Sequence, residues 1–212
     1  MSTIIFIAAS SYLLGSIPFG YLLVRIFRGE DVRQSGSGNI GATNVSRTSP
    51  VLGVATLLLD ALKGTAAALL SYFLWTRMGL RTGAIDVLPF VPMSLAAFFA
   101  VLGHMFPVWL KFHGGKGVAT ALGSFAIVAP TAVLIAAGIF IAVVAIFRYV
   151  SLGSILAVAC FPFLVFAVYA WGRAPLILAM ISTTSLLIVV KHHENIRRLL
   201  AGAENRMGKK HA

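Results

Sequence analysis

The chain has 212 residues, of which 59% are hydrophobic and 11% charged, and its mean hydropathy is +0.94. Soluble domains usually carry about twice that charged fraction, so the composition points away from a soluble globular protein and to an integral membrane protein. The net charge of +11 comes from 17 Lys or Arg against 6 Asp or Glu; no soluble domain remains to present a nucleic-acid surface, so the cations read as topology signals or as ligands for anionic lipid and phosphate.

In chain order, the first apolar block runs from Ile4 to Val24. It lacks a basic segment before it, and Arg25 and Arg28 follow it, so it reads as a retained span and not a cleaved signal. Gly15 and Ser16 allow close helix packing, and Pro18 predicts a kink. A polar stretch from Arg25 to about Pro50 precedes the second block, Val51 to Trp75. Asp60 and Lys63 lie three positions apart in that block, share a helix face and are expected to pair as support for a site.

A connection with Arg77, Arg81 and Asp86 leads to the third block, Pro89 to Leu110, which carries His104. The run from Val118 to Phe147 is long for one span and short for two ordinary ones, and Pro130 lies near its middle. Leu152 to Ala170 and Ala174 to Val190 complete the apolar blocks, and Lys191 to Ala212 form a basic tail. Cys160 is alone in an apolar run, which fits a small buried hydrophobe and no disulfide framework.

Charge chooses the number of crossings. With the N-terminus outside, Arg25, Arg28, Arg33 and Arg47 fall inside, and so do Lys111 and Lys116. A single crossing by Val118 to Phe147 would put the basic tail outside, against the positive-inside rule. The expected fold is therefore all-α, with seven transmembrane helices, the N-terminus outside, the C-terminus cytoplasmic and two short helices between about 118 and 147. Residues 1–212 form a single polytopic domain in this reading, and its polar motifs gather on the cytoplasmic face.

Two glycine patches stand out from the apolar background. In the first, Gly36, Gly38 and Gly41 allow close backbone approach, Ser37, Asn39, Thr43 and Asn44 supply donors, and Arg47 adds a guanidinium fork for phosphate. In the second, Gly114, Gly115 and Gly117 surround Lys116 ahead of a helix start. Neither is a nucleotide loop: no strand precedes the first, and the second lacks the spacing of a P-loop.

Arg148, Ser151 and Ser154 sit between two blocks, where either serine can cap a helix or meet phosphate. There is no nucleophile elbow and no Ser–His–Asp pattern. In the tail, His192 and Asn195 are three apart on a short amphipathic helix that Leu199 and Leu200 would anchor, and Glu204 can receive an arginine. His192, His193 and Glu194 alone do not make a metal site.

Taken in order, these motifs resemble the bacterial acyl-phosphate:glycerol-3-phosphate acyltransferases. The resemblance rests on Gly36-Ser37-Gly38-Asn39-Ile40-Gly41-Ala42-Thr43-Asn44 with Arg47, on Asp60 to Gly64, and on Gly103-His104 with Pro107. It continues through Gly114 to Thr120, Arg148 with Ser151 and Ser154, and His192, Glu194, Asn195, Ile196, Arg198, Gly202 and Glu204. It implies a monomeric multi-pass enzyme of the bacterial cytoplasmic (inner) membrane, in contact with membrane lipid and using neither cofactor nor metal. The implied reaction moves an acyl group from acyl-phosphate to the 1-hydroxyl of glycerol 3-phosphate, giving 1-acyl-glycerol 3-phosphate and phosphate, without a covalent acyl-enzyme.

Under this resemblance the first patch, Gly36, Ser37, Gly38, Asn39, Gly41, Thr43 and Asn44, is expected to bind acyl-phosphate. Arg47, Lys116, Ser154, His192 and Asn195 are expected to bind glycerol 3-phosphate, and Ser37, Arg47, Lys116, His192 and Asn195 to be catalytic. Asp60, Lys63, His104, Gly114, Gly115, Gly117, Arg148, Ser151 and Glu204 are expected to support them. The proton acceptor is open between a substrate phosphate oxygen and His192. A small anion or phospholipid transporter is the rival class, disfavoured by the absence of an internal repeat and by the one-sided placement of the polar motifs.

Overall fold

A computed structural model describes residues 2–77 and 89–208, which form two compact units divided at Val128 and Ala129. Every regular element among them is helical. Arg81, Asp86, Lys209 and Lys210 lie outside the described residues.

The first unit opens with α1 (Ser2–Ser16) and α2 (Phe19–Arg28). Pro18 does break the first block, leaving Ile17 and Pro18 outside both helices. A short 3-10 turn (Val32–Gln34) and α3 (Ala42–Thr48) then bracket the first glycine loop. They are followed by α4 (Pro50–Arg77), α5 (Phe90–Met105), a second 3-10 turn (Val108–Leu110) and α6 (Val118–Val128).

Small residues set the packing. A methyl on Gly15 would strike the Ala100 carbonyl of α5, and one on Gly103 would strike the Tyr12 carbonyl of α1. Gly64 and Gly123 do the same for α4 and α6, against Thr120 and Ala61. Such reciprocal close approach is how helices associate where no hydrophobic force drives them together. Specific hydrogen bonds add to it: Tyr12 Oη donates to the Phe106 carbonyl at 2.7 Å, and Thr65 Oγ1 to that of Gly123 at 2.9 Å.

The second unit contains α7 (Pro130–Phe147), α8 (Val150–Val168), a 3-10 turn (Trp171–Arg173), α9 (Pro175–Val190) and α10 (His193–Leu200). The apolar run 118–147 does divide, at Ala129, and Pro130 opens α7 instead of kinking a helix. The halves are unequal, which corrects the expectation of two short helices. α7 has 18 residues, enough to cross a bilayer, whereas the 11 residues of α6 reach only about 17 Å.

Five segments are long and apolar enough to span: Thr3–Arg28, Pro50–Arg77, Phe90–Leu110, Pro130–Phe147 and Val150–Val168. A sixth is reached by counting α9 with α10, which are bent by 54°. The protein is thus a multi-pass helical membrane protein. Leu200, expected to anchor α10, is 85% exposed among the described residues, and Leu199 is half-buried.

Candidate functional site

The first glycine loop is built around one side chain. Asn44 is 3% exposed, and its Nδ2 donates to the carbonyls of Val32, Ser35 and Asn39 at 3.1, 3.0 and 2.9 Å. Its Oδ1 accepts the Ser37 N–H at 2.8 Å. The Gly38 N–H goes to the Ser35 carbonyl and the Gly41 N–H to Asn39 Oδ1. The backbone donors expected to form an anion nest at Ser37, Gly38 and Gly41 are therefore already engaged inside the loop, and so is Asn44.

What the loop presents outward is side chains: Ser37, Thr43 and Arg47 are all exposed. Thr43 and Arg47 are four apart on α3 and share a face. Arg47 runs over Gly36, whose φ of 57° and contacts with Arg47 and Asn44 Oδ1 leave no room for a side chain. Beneath the loop, Val24, Val32, Ile40, Val45 and Leu110 form a buried apolar seat.

The second loop is held from outside itself. The N–H of Gly114 donates to the Met105 carbonyl at 3.1 Å, and that of Gly115 to the His104 carbonyl at 3.0 Å. These bonds cap the end of α5, whose last carbonyls would otherwise lack partners. Gly115 lies so close to the His104 ring that a methyl there would overlap Nε2. Lys111 and Phe112 take left-handed φ values of 51° and 62° to make the turn. Lys116 follows, half-buried, just before α6.

Behind this loop the expected Asp60–Lys63 pair is present, with Nζ 2.8 Å from Oδ1. Two partners were not anticipated. His104 Nδ1 lies 3.5 Å from the same Asp60 oxygen, and Lys63 Nζ donates to the Ile17 carbonyl at 2.7 Å. That carbonyl lies at the Pro18 break, where it also accepts the Phe19 N–H at 3.1 Å.

In the second unit the polar residues gather on Glu204. Its Oε1 accepts from Asn195 Nδ2 at 2.7 Å and Ser151 Oγ at 2.8 Å, and its Oε2 accepts from Arg198 Nε at 2.8 Å. Burial pushes the carboxyl up, but the hydrogen bonds from Asn195, Ser151 and Arg198 outweigh it and hold the group below the ordinary glutamate range. Arg198, passed over as a site residue, is thus part of the cluster.

His192 is buried one turn before Asn195, and its Nδ1 lies 2.7 Å from the Ile188 carbonyl. A carbonyl only accepts, so Nδ1 carries a proton in this contact. Ser154 Oγ donates to the Val150 carbonyl within α8. Arg148 is exposed and left-handed at the end of α7, and its carbonyl accepts the Met207 N–H at 2.8 Å, which folds the tail back onto this turn. Among the described residues no three His, Cys, Asp or Glu side chains converge as metal ligands.

The chain matches the family described as glycerol-3-phosphate acyltransferase over residues 5–202. It is 45% identical over 207 residues to a glycerol-3-phosphate acyltransferase of Syntrophotalea carbinolica, covering 97% of this chain and 98% of that one. It is 48% identical over 202 residues to one of Geobacter sulfurreducens, covering 94% and 95%. Its fold is similar to the crystal structure of PlsY, an integral membrane glycerol 3-phosphate acyltransferase, in the glycerol 3-phosphate form. There the TM-score is 0.83 with 37% identity, covering 97% of this chain and 96% of that one. The lysophosphatidic acid form of PlsY gives a TM-score of 0.80 with 36% identity, covering 97% and 95%.

Proposed function

The chain belongs to the glycerol-3-phosphate acyltransferase family, and on that premise we propose that it transfers an acyl group from acyl-phosphate to the 1-hydroxyl of glycerol 3-phosphate. The products are 1-acyl-glycerol 3-phosphate and inorganic phosphate. The hydroxyl oxygen attacks the acyl carbon, the bond from that carbon to the phosphate oxygen breaks, and the hydroxyl proton leaves with phosphate. The observation that carries this reading is the pair of cations mounted on glycine loops in the first unit: Arg47 over Gly36, and Lys116 directly after Gly115. A guanidinium fork and an ammonium are both suited to holding a phosphate.

In this reading acyl-phosphate is recognised at the first loop, by Ser37, Asn39 and Thr43, with Asn44 as the residue that shapes it and Gly36, Gly38 and Gly41 allowing close approach. Glycerol 3-phosphate is assigned to Arg47, Lys116, Ser154, His192 and Asn195. Ser37, Arg47, Lys116, His192 and Asn195 act in catalysis by orienting the reactants and stabilising charge on the acyl oxygen and the leaving phosphate. Arg148, Ser151 and Glu204 support Asn195 and the tail.

The proton passes to a phosphate oxygen of the substrate, with no acyl-enzyme. A second reading makes His192 the base, its ring held in place by the Nδ1–H bond to the Ile188 carbonyl. A pH–rate profile of His192→Gln decides: an unchanged alkaline rate removes the histidine, and loss of the basic limb removes the substrate-assisted route.

The enzyme works as a monomer in the bacterial cytoplasmic membrane. Residues 1–212 act as one catalytic domain with seven crossings, the N-terminus outside, the C-terminus inside and the chemistry on the cytoplasmic side. The test is phosphate release by purified protein in detergent, without two compartments. Release that needs both acyl-phosphate and glycerol 3-phosphate is expected, with no 1-acyl-glycerol 3-phosphate formed when acyl-CoA or acyl-loaded carrier protein replaces acyl-phosphate. A folded protein that turns over neither substrate refutes the enzyme and favours a transporter.

A further inference from the structure

Asp60, Lys63 and His104 take no direct part in the reaction as proposed, yet their side chains are only 3%, 2% and 4% exposed inside spanning helices. Ions in such a setting are costly, and apolar residues of similar volume often pack as well or better. Neutralising each other does not account for the arrangement. Asp60 is shared: the oxygen that meets Lys63 Nζ at 2.8 Å also faces His104 Nδ1 at 3.5 Å.

The opposite edge of the His104 ring carries the second glycine loop. A methyl on Gly115 would overlap Nε2, and it would meet Cε1 at 2.8 Å and Cδ2 at 3.0 Å. The carbonyl of the same histidine accepts the Gly115 N–H at 3.0 Å. Gly115 is therefore fixed twice by one residue, through its backbone and against its ring. Lys63 lies against Asp60 in turn and donates to the Ile17 carbonyl, so the contacts run unbroken from the first span to the loop. The next residue after Gly115 is Lys116.

We propose that Asp60 and His104 are positioning residues for glycerol 3-phosphate: they set the place of the second glycine loop, and through it Lys116, without touching the substrate. The inference rests on the assignment of Lys116 to glycerol 3-phosphate made above. It differs from a purely neutralising role for the trio in what survives when both charges are removed together.

Asp60→Asn alone strands the Lys63 charge, so the decisive protein is the double variant Asp60→Asn/Lys63→Met, assayed in detergent beside Lys116→Ala and the triple combination. The double variant is expected to fold, with a lower unfolding temperature because the Ile17 carbonyl loses its Lys63 donor, while its KM for glycerol 3-phosphate rises about tenfold and its KM for acyl-phosphate moves by less than about twofold. Added to Lys116→Ala, it is expected to cause no further loss, because the device acts through that lysine. A folded double variant with the parent's KM for glycerol 3-phosphate overturns the proposal. So does one that does not fold, which makes the trio a folding element, and so does a loss that simply adds to that of Lys116→Ala. Parent-like kinetics in Lys116→Ala overturns instead the assignment on which the inference rests, a separate failure read from a separate protein.

Discussion

The loop from Gly36 to Asn44 is held by a side chain of its own, whereas the loop from Gly114 to Gly117 is held by the helix before it. Asn44 reaches back no more than twelve residues and satisfies three carbonyls and one N–H. The second loop contains no such residue. Its order is lent by the α5 carbonyls and by a ring that leans on α4. A self-supported loop is sensitive at one position. A borrowed one is sensitive wherever its support runs, including residues far from any substrate.

Asn44→Ala attacks the first loop at its centre and should have the largest effect. Four hydrogen bonds vanish and buried carbonyls lose their donor, at a cost of about 3 kcal/mol and with activity down by about a hundredfold. Thermal unfolding and turnover check this together, and a variant that melts and works like the parent shows that the loop is not self-supported. Gly115→Ala attacks the second loop at its borrowed support. Its methyl displaces the His104 ring, and a rise of about tenfold in KM for glycerol 3-phosphate is expected. Gly138→Ala is the control, because nothing lies near its added methyl and neither constant should move.

The Glu204 cluster is a third form of organisation, in which a carboxylate replaces the amide of Asn44. Its folded pKa lies below the ordinary value of 4.5, so its contribution to stability is complete above that value and is lost as pH falls through the depressed one. The parent's unfolding temperature should therefore drop in this acid window, and Glu204→Gln should lower it at neutral pH and flatten its fall in acid. A parallel decline in both proteins would remove Glu204 as the cause. The smallest effect belongs to Asp31→Asn. Its pair with Arg33, 2.6 Å long, flanks the first loop at the surface, and its loss should cost less than about 1 kcal/mol in a melt. A larger cost would mean that the first loop leans on its rim as well as on Asn44.

The spans were legible because long apolar runs have few other uses, and the i,i+3 spacing of Asp60 and Lys63 announced their pairing. The unequal division at Ala129 was not, since Pro130 marks a break without saying how each half is used. Asn44 was read as a ligand donor. An asparagine looks the same in sequence whether it faces a substrate or its own backbone, and only the path of the loop decides. His104 and Glu204 were expected to give support, but the partners through which they give it were not legible, for a related reason. Their partners are remote, as with Ser151, which is 53 residues from Glu204, and no local pattern records such a meeting.

The break at Pro18 reaches back to how the protein is made. It leaves the Ile17 carbonyl partway along the first span, where it accepts the Phe19 N–H at 3.1 Å and keeps a second lone pair for which hydrocarbon offers no donor. The ammonium that satisfies it belongs to Lys63, which the ribosome delivers 46 residues later. The same lysine enters the bilayer already neighboured by Asp60, so its charge is not carried in alone. The second bond at that carbonyl can therefore form only after the second span has been made, and it joins the two arms of the opening hairpin.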